Sequence, residues 1–193
     1  MRAIVFALAL LTHPATASAE WQLHPFLGVT LGGGTTFVDL EHAAGHAHMA
    51  VGASALLLGD VIGIEADVAT MPGFFQTGDQ RLLRGSRVST LTGNVVFAVP
   101  RHLTQYTLRP YGVVGLGRMF VSSDQKLPAL SFAENLPAMD VGGGLTGFLT
   151  QRVGLSWGVR YFRSVGQKAQ GSVVVADQQL SFWRLNMGVA IRY

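Results

Sequence analysis

The chain has 193 residues, which suits one domain and leaves little room for a second. Hydrophobic residues make up 49% and charged residues only 13%, well below the roughly 25% of soluble globular proteins, so the composition points towards a membrane. The formal net charge of +3 comes with no basic helix or stripe, which excludes nucleic acid as a partner, and the lack of cysteine excludes disulfides and thiolate metal sites.

The N-terminus has the features of a secretory leader. Met1 and Arg2 give a short positive start, residues 3–11 form an apolar block, and Ala17-Ser18-Ala19 matches an A-x-A cleavage signature. We therefore predict a signal peptide over residues 1–19, cleaved before Glu20, and an exported domain over residues 20–193.

Beyond the leader, apolar residues recur at every second position, which is the period of a β-strand. In the segment 153–161, for example, Val153, Leu155 and Trp157 share one face while Gly154 and Ser156 share the other. The alternation predicts eight strands, over residues 22–34, 46–58, 61–71, 86–99, 108–121, 138–149, 152–163 and 181–193. The facing of the fifth strand stays open because both of its alternating sets contain apolar residues; its Tyr111 is a candidate for an aromatic girdle at a membrane surface.

The connections between these strands alternate in length. Short links over residues 59–60, 100–107 and 150–152 alternate with longer, polar links over 35–45, 72–85, 122–137 and 164–179. With an even number of strands, this alternation is typical of an all-β, eight-stranded antiparallel up-and-down transmembrane β-barrel. No apolar run outside the leader reaches the roughly 18 to 20 residues of a spanning helix.

The two faces of the predicted strands suit a barrel that is apolar outside and polar inside. If the apolar faces meet lipid, the charged residues of the strands point into the lumen, where acids and bases neutralise one another. The predicted luminal charge network consists of Glu65, Asp67, Asp140, Arg160, Arg184 and Arg192. Because eight strands enclose an interior just wide enough for side chains, we expect a plugged lumen.

The segments "LRPYGVVGLGR" at 108–118 and "VGGGLTGFLTQRVGLSWGVRYFR" at 141–163, with a final alternating strand ending in Tyr193, resemble a known family. It comprises the small eight-stranded outer-membrane β-barrel proteins of Gram-negative bacteria, the OmpA/OmpX-like class. The resemblance implies a monomer in the bacterial outer membrane. It also implies Tyr193 as an assembly signal, read by the barrel-assembly machinery with periplasmic chaperones as transient partners.

The first long link holds a group of histidines. His42, His46 and His48 follow two carboxylates, and neutral imidazoles on a flexible loop can bind zinc or copper. The alternative is an exposed polar loop with no fixed geometry. The histidines are therefore weak candidates for a metal site, and no cofactor is predicted.

Basic residues gather near the long links. With the short turns in the periplasm, these residues lie towards the cell surface, where lipopolysaccharide phosphates favour bidentate arginine contacts. The candidate lipopolysaccharide contacts are Arg81, Arg84, Arg87, Lys126, Arg163 and Lys168. The alternative is a set of scattered, solvated cations.

The strand serines give little support for catalysis. Ser54, Ser89 and Ser156 have no histidine one or two positions away, whereas nucleophilic catalysis needs a positioned base. The sequence favours a non-enzymatic outer-membrane barrel with a structural or surface-interaction role through its extracellular loops. A narrow small-solute channel and a lipid A acyl-modifying enzyme are the alternatives.

Overall fold

A computed structural model describes residues 19–35, 47–74, 83–104, 108–125, 132–165 and 180–193. A 3₁₀ turn over Arg101–Leu103 separates the fourth and fifth strands, and no helix in the described ranges is long and apolar enough to cross a bilayer. The predicted signal peptide lies outside these ranges except for its last residue. The strands are β1 (Glu20–Thr35), β2 (His48–Leu58), β3 (Ile62–Pro72), β4 (Leu83–Ala98), β5 (Leu108–Gln125), β6 (Phe132–Phe148), β7 (Val153–Ser164) and β8 (Leu180–Arg192).

The eight strands close into one antiparallel barrel in chain order. Each strand pairs with the next, and β1 pairs with β8 from Gln22, opposite Arg192, to Thr35, opposite Leu180. The predicted all-β, up-and-down closed barrel is confirmed. Closure leaves no sheet edge, so the backbone groups of every strand have neighbours on both sides.

The largest differences from the predicted strand bounds are in β5 and β6, which extend further towards the long connections. β5 continues to Gln125 and β6 begins at Phe132, whereas the prediction ended one at 121 and began the other at 138. Their ladder runs on to Ser123, opposite Phe132. Polar residues interrupt the apolar alternation in these extensions, but the backbone hydrogen bonds between paired strands form without that alternation.

The barrel is apolar on its outer wall and polar at the centre of its lumen. Leu116 and Met187 are 71% and 62% exposed on the outside, while Arg160 and Arg184 are 3% and 0% exposed inside. Trp157 and Val189 also face outward. No other part of the described chain packs against this outer face, as expected for a wall that contacts lipid.

The fifth strand places its odd-numbered residues inside. Tyr111 is therefore luminal, and its expected place in an outer aromatic girdle is wrong. The ring lies against two inward glycines, one on β6 and one on β7, since a Cβ atom would approach Tyr111 Oη to 2.7 Å at Gly144 and to 3.2 Å at Gly158. These glycines leave the space that the phenol ring occupies.

The strands tilt around the barrel. A ladder of paired residues that starts at Gln22 returns to β1 beyond Leu31, about ten residues further along, after passing through all eight strands. The register shifts between Leu31 and Gly34, where Gly32 has a φ of 57° that favours glycine. Paired positions thus rise towards the long connections from β1 to β8.

Candidate functional site

The centre of the lumen contains two ion pairs that cross the barrel. Arg160 Nη2 on β7 lies 2.8 Å from both carboxylate oxygens of Glu65 on β3. Arg184 Nη2 on β8 lies 2.8 Å from both carboxylate oxygens of Asp67, two residues further along β3. The two pairs therefore join β3 to β7 and to β8 across the lumen. All four side chains are buried, so the pairs are shielded from water.

The Arg184 guanidinium is enclosed on every side. Its carbon lies 4.8 Å from the ring centroid of Phe26 and 4.7 Å from that of Phe162. Its Nε donates to Asn186 Oδ1 at 3.0 Å, and Nη1 approaches Thr90 Oγ1 at 3.4 Å. Aromatic faces and hydrogen bonds together offset the cost of burying this charge.

Asp140 stands apart from the two pairs. Among the described residues its nearest cation is Arg160, whose Nη1 lies 3.6 Å from Oδ2, and neither carboxylate oxygen of Asp140 accepts a hydrogen bond there. Asn94 Oδ1 is also unpartnered there; a Cβ atom on Gly115 would lie 1.8 Å from it and 2.7 Å from Asp140 Oδ1. The central cluster, which consists of Glu65, Asp67, Asp140, Arg160 and Arg184, thus holds three carboxylates and two guanidiniums.

Arg192 does not join this cluster, contrary to the predicted balance of three acids and three bases. Its Nη1 lies 3.3 Å from Glu20 Oε2, and its guanidinium lies 4.2 Å from the ring centroid of Phe148. The cause is register, because Arg192 is opposite Gln22 at the short-turn end of β1. Glu20 also pairs with Arg101. Glu20 was missed as a partner because it lies just before the predicted first strand.

Arg109, which the sequence analysis missed, connects two of the short turns. Arg109 Nη2 donates to the carbonyl oxygens of Gly59 at 3.1 Å and Asp60 at 2.6 Å, and its Nε donates to that of Val99 at 3.1 Å. Its inward position follows from the facing of β5, which the sequence left ambiguous. Arg109 links the turn after β2 to the turn after β4.

Buried apolar clusters lie in the lumen on both sides of the charged layer. Towards the short turns, Tyr111 packs against a buried cluster, and towards the long connections, Phe162 and Phe182 stack with centroids 5.3 Å apart. The lower cluster contains Leu56, Leu58, Val96, Ala98 and Val113. The upper cluster contains Ala50, Met71, Phe74, Val88, Met119, Val121, Leu136, Ala138, Phe162, Leu180 and Phe182.

The structure describes one of the three histidines considered for a metal. His48 faces the lumen, is buried, and lies 5.1 Å from the Phe74 ring centroid. His42 and His46 lie outside the described residues, among which no group of three His, Cys, Asp or Glu side chains could hold a metal.

The barrel brings together a serine and a histidine that are far apart in the sequence. His24 on β1 is directly opposite Ser54 on β2, and both are buried in the lumen. However, Ser54 donates to the Glu65 carboxylate, and His24 Nε2 lies 2.9 Å from Gln22 Oε1. Ser89 instead faces outward and donates to Thr70 Oγ1 at 3.1 Å. Each group is thus engaged by another partner, and burial keeps substrate from Ser54.

The outer wall carries basic residues in its half next to the long connections. Arg87 and Arg163, both predicted lipopolysaccharide contacts, are exposed there, as is Arg118, which the sequence analysis missed. Arg84 lies in β4, but its side chain is outside the described part, as are Arg81, Lys126 and Lys168. The facing of β5 would have identified Arg118 as an outward residue.

Aromatic side chains lie at both ends of the outer wall. Tyr161 and Trp183 form a tilted pair with ring centroids 5.0 Å apart, near the long connections. Trp21 and Tyr193 are exposed near the short turns, at 57% and 81%. Two aromatic levels separated by an apolar band are typical of transmembrane barrels.

The sequence matches no protein-family model, and it has no significant match among curated proteins. Its structure, in contrast, superposes on Neisserial surface protein A (NspA) with a TM-score of 0.63 at 14% identity, covering 90% of this chain and 97% of NspA. The fold is that of a small eight-stranded outer-membrane β-barrel.

Other small outer-membrane β-barrels match over similar lengths. OprG of Pseudomonas aeruginosa has a TM-score of 0.63 at 11% identity, with 92% of this chain and 97% of OprG covered. The N-terminal β-barrel domain of OprF, from the same species, has a TM-score of 0.55 at 12% identity, covering 90% and 97%. The resemblance to small outer-membrane barrels is therefore confirmed at the level of fold.

Proposed function

We propose that this protein is a non-enzymatic barrel of the bacterial outer membrane, with a structural or surface-interaction role carried by its outer wall and extracellular loops. The observation that carries the proposal is the packing of Arg184, which has no exposed surface and lies between Phe26 and Phe162 while paired with Asp67. A lumen filled at its centre leaves the outside of the barrel for function.

Solute passage would require this packing to open. The two ion pairs and the stacked phenylalanines lie one above the other in the lumen, and leaving a buried charge without its partner costs about 3–5 kcal/mol. We expect the full mature chain to show no sustained conductance in planar lipid bilayers, whereas Arg184→Ala should show intermittent openings. Steady conductance of the unaltered protein at neutral pH would favour the small-solute channel.

The outer leaflet supplies the proposed partner. Lipopolysaccharide is anionic, and exposed arginines next to the long connections suit its phosphates. We assign this contact to Arg87 and Arg163, with Arg81, Arg84, Lys126 and Lys168 as further candidates around the loops. Co-purified lipopolysaccharide should fall when Arg87 and Arg163 are both replaced by Gln.

Export and assembly complete the proposal. We assign residues 1–19 to a cleaved signal peptide and Tyr193, exposed at the end of β8, to the signal read by the barrel-assembly machinery, with periplasmic chaperones as transient partners. Cell fractionation and heat-modifiable gel migration test the location and the closed monomer. Mass spectrometry of lipid A from cells with and without the gene should show no difference; an altered acyl pattern would favour the enzyme.

A further inference from the structure

The charged residues of the outer wall have one sign and one location. Among the described side chains that face outward from the strands, the charged ones are Arg87, Arg118 and Arg163. All three lie in the halves of β4, β5 and β7 that adjoin the long connections. Among these described outward side chains there is no carboxylate, so the charge that they present attracts anions.

Arg118 and Arg163 lie on either side of β6. Arg118 is opposite Pro137, and Arg163 is opposite Met139, the next outward residue of β6. Two strand spacings separate them by about 10 Å across the sheet. Met139 lies two residues closer to the short turns than Pro137. Paired positions rise towards the long connections from β5 to β7, so the strand tilt offsets this difference. The two guanidiniums therefore start from nearly the same depth.

The aromatic pair marks that depth as the membrane interface. Arg163 is two residues beyond Tyr161 on β7 and opposite Ser181, two residues from Trp183 on β8. Tyr and Trp are enriched where the bilayer meets water. Arginine is costly on the lipid face at the midplane but nearly neutral at the interface, where its stem can extend towards head groups.

Neither arginine has an ion-pair partner among the described residues, and Pro137 and Met139 place no charge between them. We propose that Arg118 and Arg163 form a two-point clamp for a bis-phosphorylated glycolipid of the lipid A class, with one phosphate on each guanidinium and the sugar over Pro137 and Met139. Phosphate suits the planar guanidinium, which can donate two parallel hydrogen bonds. The clamp rests on the proposed outer-membrane location and adds a specific ligand geometry to it.

The clamp predicts that the number of phosphates matters more than total charge. Once one phosphate is bound, the second contact becomes intramolecular and gains from a high effective concentration. A lipid with two phosphates should therefore bind at least about tenfold more tightly than the same lipid with one. Independent single-phosphate contacts would give only the statistical factor of about two.

The test uses the refolded full mature chain in nanodiscs of phosphatidylcholine, titrated with bis-phosphoryl or mono-phosphoryl lipid A and followed by native mass spectrometry. We expect the unaltered protein to prefer the bis-phosphoryl lipid at least about tenfold. Arg118→Gln and Arg163→Gln should each reduce that preference to about twofold or less, with little effect on the mono-phosphoryl lipid. Arg152→Gln, an exposed cation at the short-turn end, is the matched control and should keep the preference.

Heat-modifiable migration verifies that every variant is folded. The clamp is wrong if the unaltered protein binds both forms of lipid A equally, or if neither Gln variant changes the preference. If lipid A still binds in preference to phosphatidylcholine in that case, the proposed outer-leaflet role stands without the clamp. If lipid A shows no preference at all, the lipopolysaccharide contact fails together with the clamp.

Discussion

Arg184 on β8 and Asp67 on β3 meet across the interior of the barrel, although 117 positions separate them in the chain. Both side chains have no exposed surface. The pair joins the last strand to the third, so it forms only when the barrel has closed.

Arg184→Ala should destabilise the barrel strongly. The change leaves Asp67 buried without its nearest cation and removes the contacts with Phe26 and Phe162, so we expect a loss of about 3–5 kcal/mol in the free energy of unfolding. Urea unfolding in lipid vesicles, followed by tryptophan fluorescence, measures it. The double variant Arg184→Met with Asp67→Leu should lose much less, and Arg192→Gln, at a partly exposed pair, should lose less than about 1 kcal/mol. Equal losses in all three would contradict a role for the buried charge.

Asp140→Asn should leave the barrel as stable as before or more so. The carboxylate accepts no hydrogen bond within the described residues, whereas an Asn side chain keeps its shape, removes the excess negative charge and can donate towards Asn94 Oδ1. A gain of up to about 1–3 kcal/mol is expected from satisfying buried polar atoms. The comparison is Asp67→Asn, which should weaken the pair with Arg184. If Asp140→Asn is the more damaging of the two, Asp140 has a partner that we have not identified.

Gly144 should not accept a side chain. A Cβ atom there would lie 2.1 Å from the Trp157 carbonyl oxygen and 2.7 Å from Tyr111 Oη, so Gly144→Ala forces the wall or the ring to move. We expect a loss of about 1–3 kcal/mol, measured by urea unfolding. Gly93→Ala is the control, because nothing lies within 4 Å of a Cβ atom at that outward position. It should be neutral or stabilising, and a similar loss in both variants would exclude the close approach as the cause.

Met187→Arg tests whether lipid covers the outer wall. Met187 is 62% exposed, lies on the lipid-facing side of β8 and is far from either aromatic level. An arginine near the middle of a bilayer costs a transmembrane barrel about 2–4 kcal/mol, so folding into vesicles should be weakened by that amount. Met187→Leu should have no effect beyond about 0.5 kcal/mol. A protein that remains in aqueous solution and is made more soluble by Met187→Arg would not be a membrane barrel.

Several features of this protein could be predicted from the chain alone because each strand carries them locally. Alternation in 153–161 identifies β7 and its outward face without knowledge of its neighbours, since side chains in any strand point to opposite sides in turn. The low charge content and the alternating link lengths then lead to an up-and-down membrane barrel. The inward direction of Arg160 and Arg184 follows from the same local pattern.

What the chain could not decide depends on how strands are aligned with one another. β5 has apolar residues in both alternating sets, so only its pairing with β4 and β6 places Tyr111 inside and Arg118 outside. Register likewise separates Arg192 from the central cluster and brings His24 opposite Ser54. The physical reason is that alternation determines the side of the sheet on which a residue lies, whereas its depth and partners are determined by the stagger of eight strands around a closed cylinder.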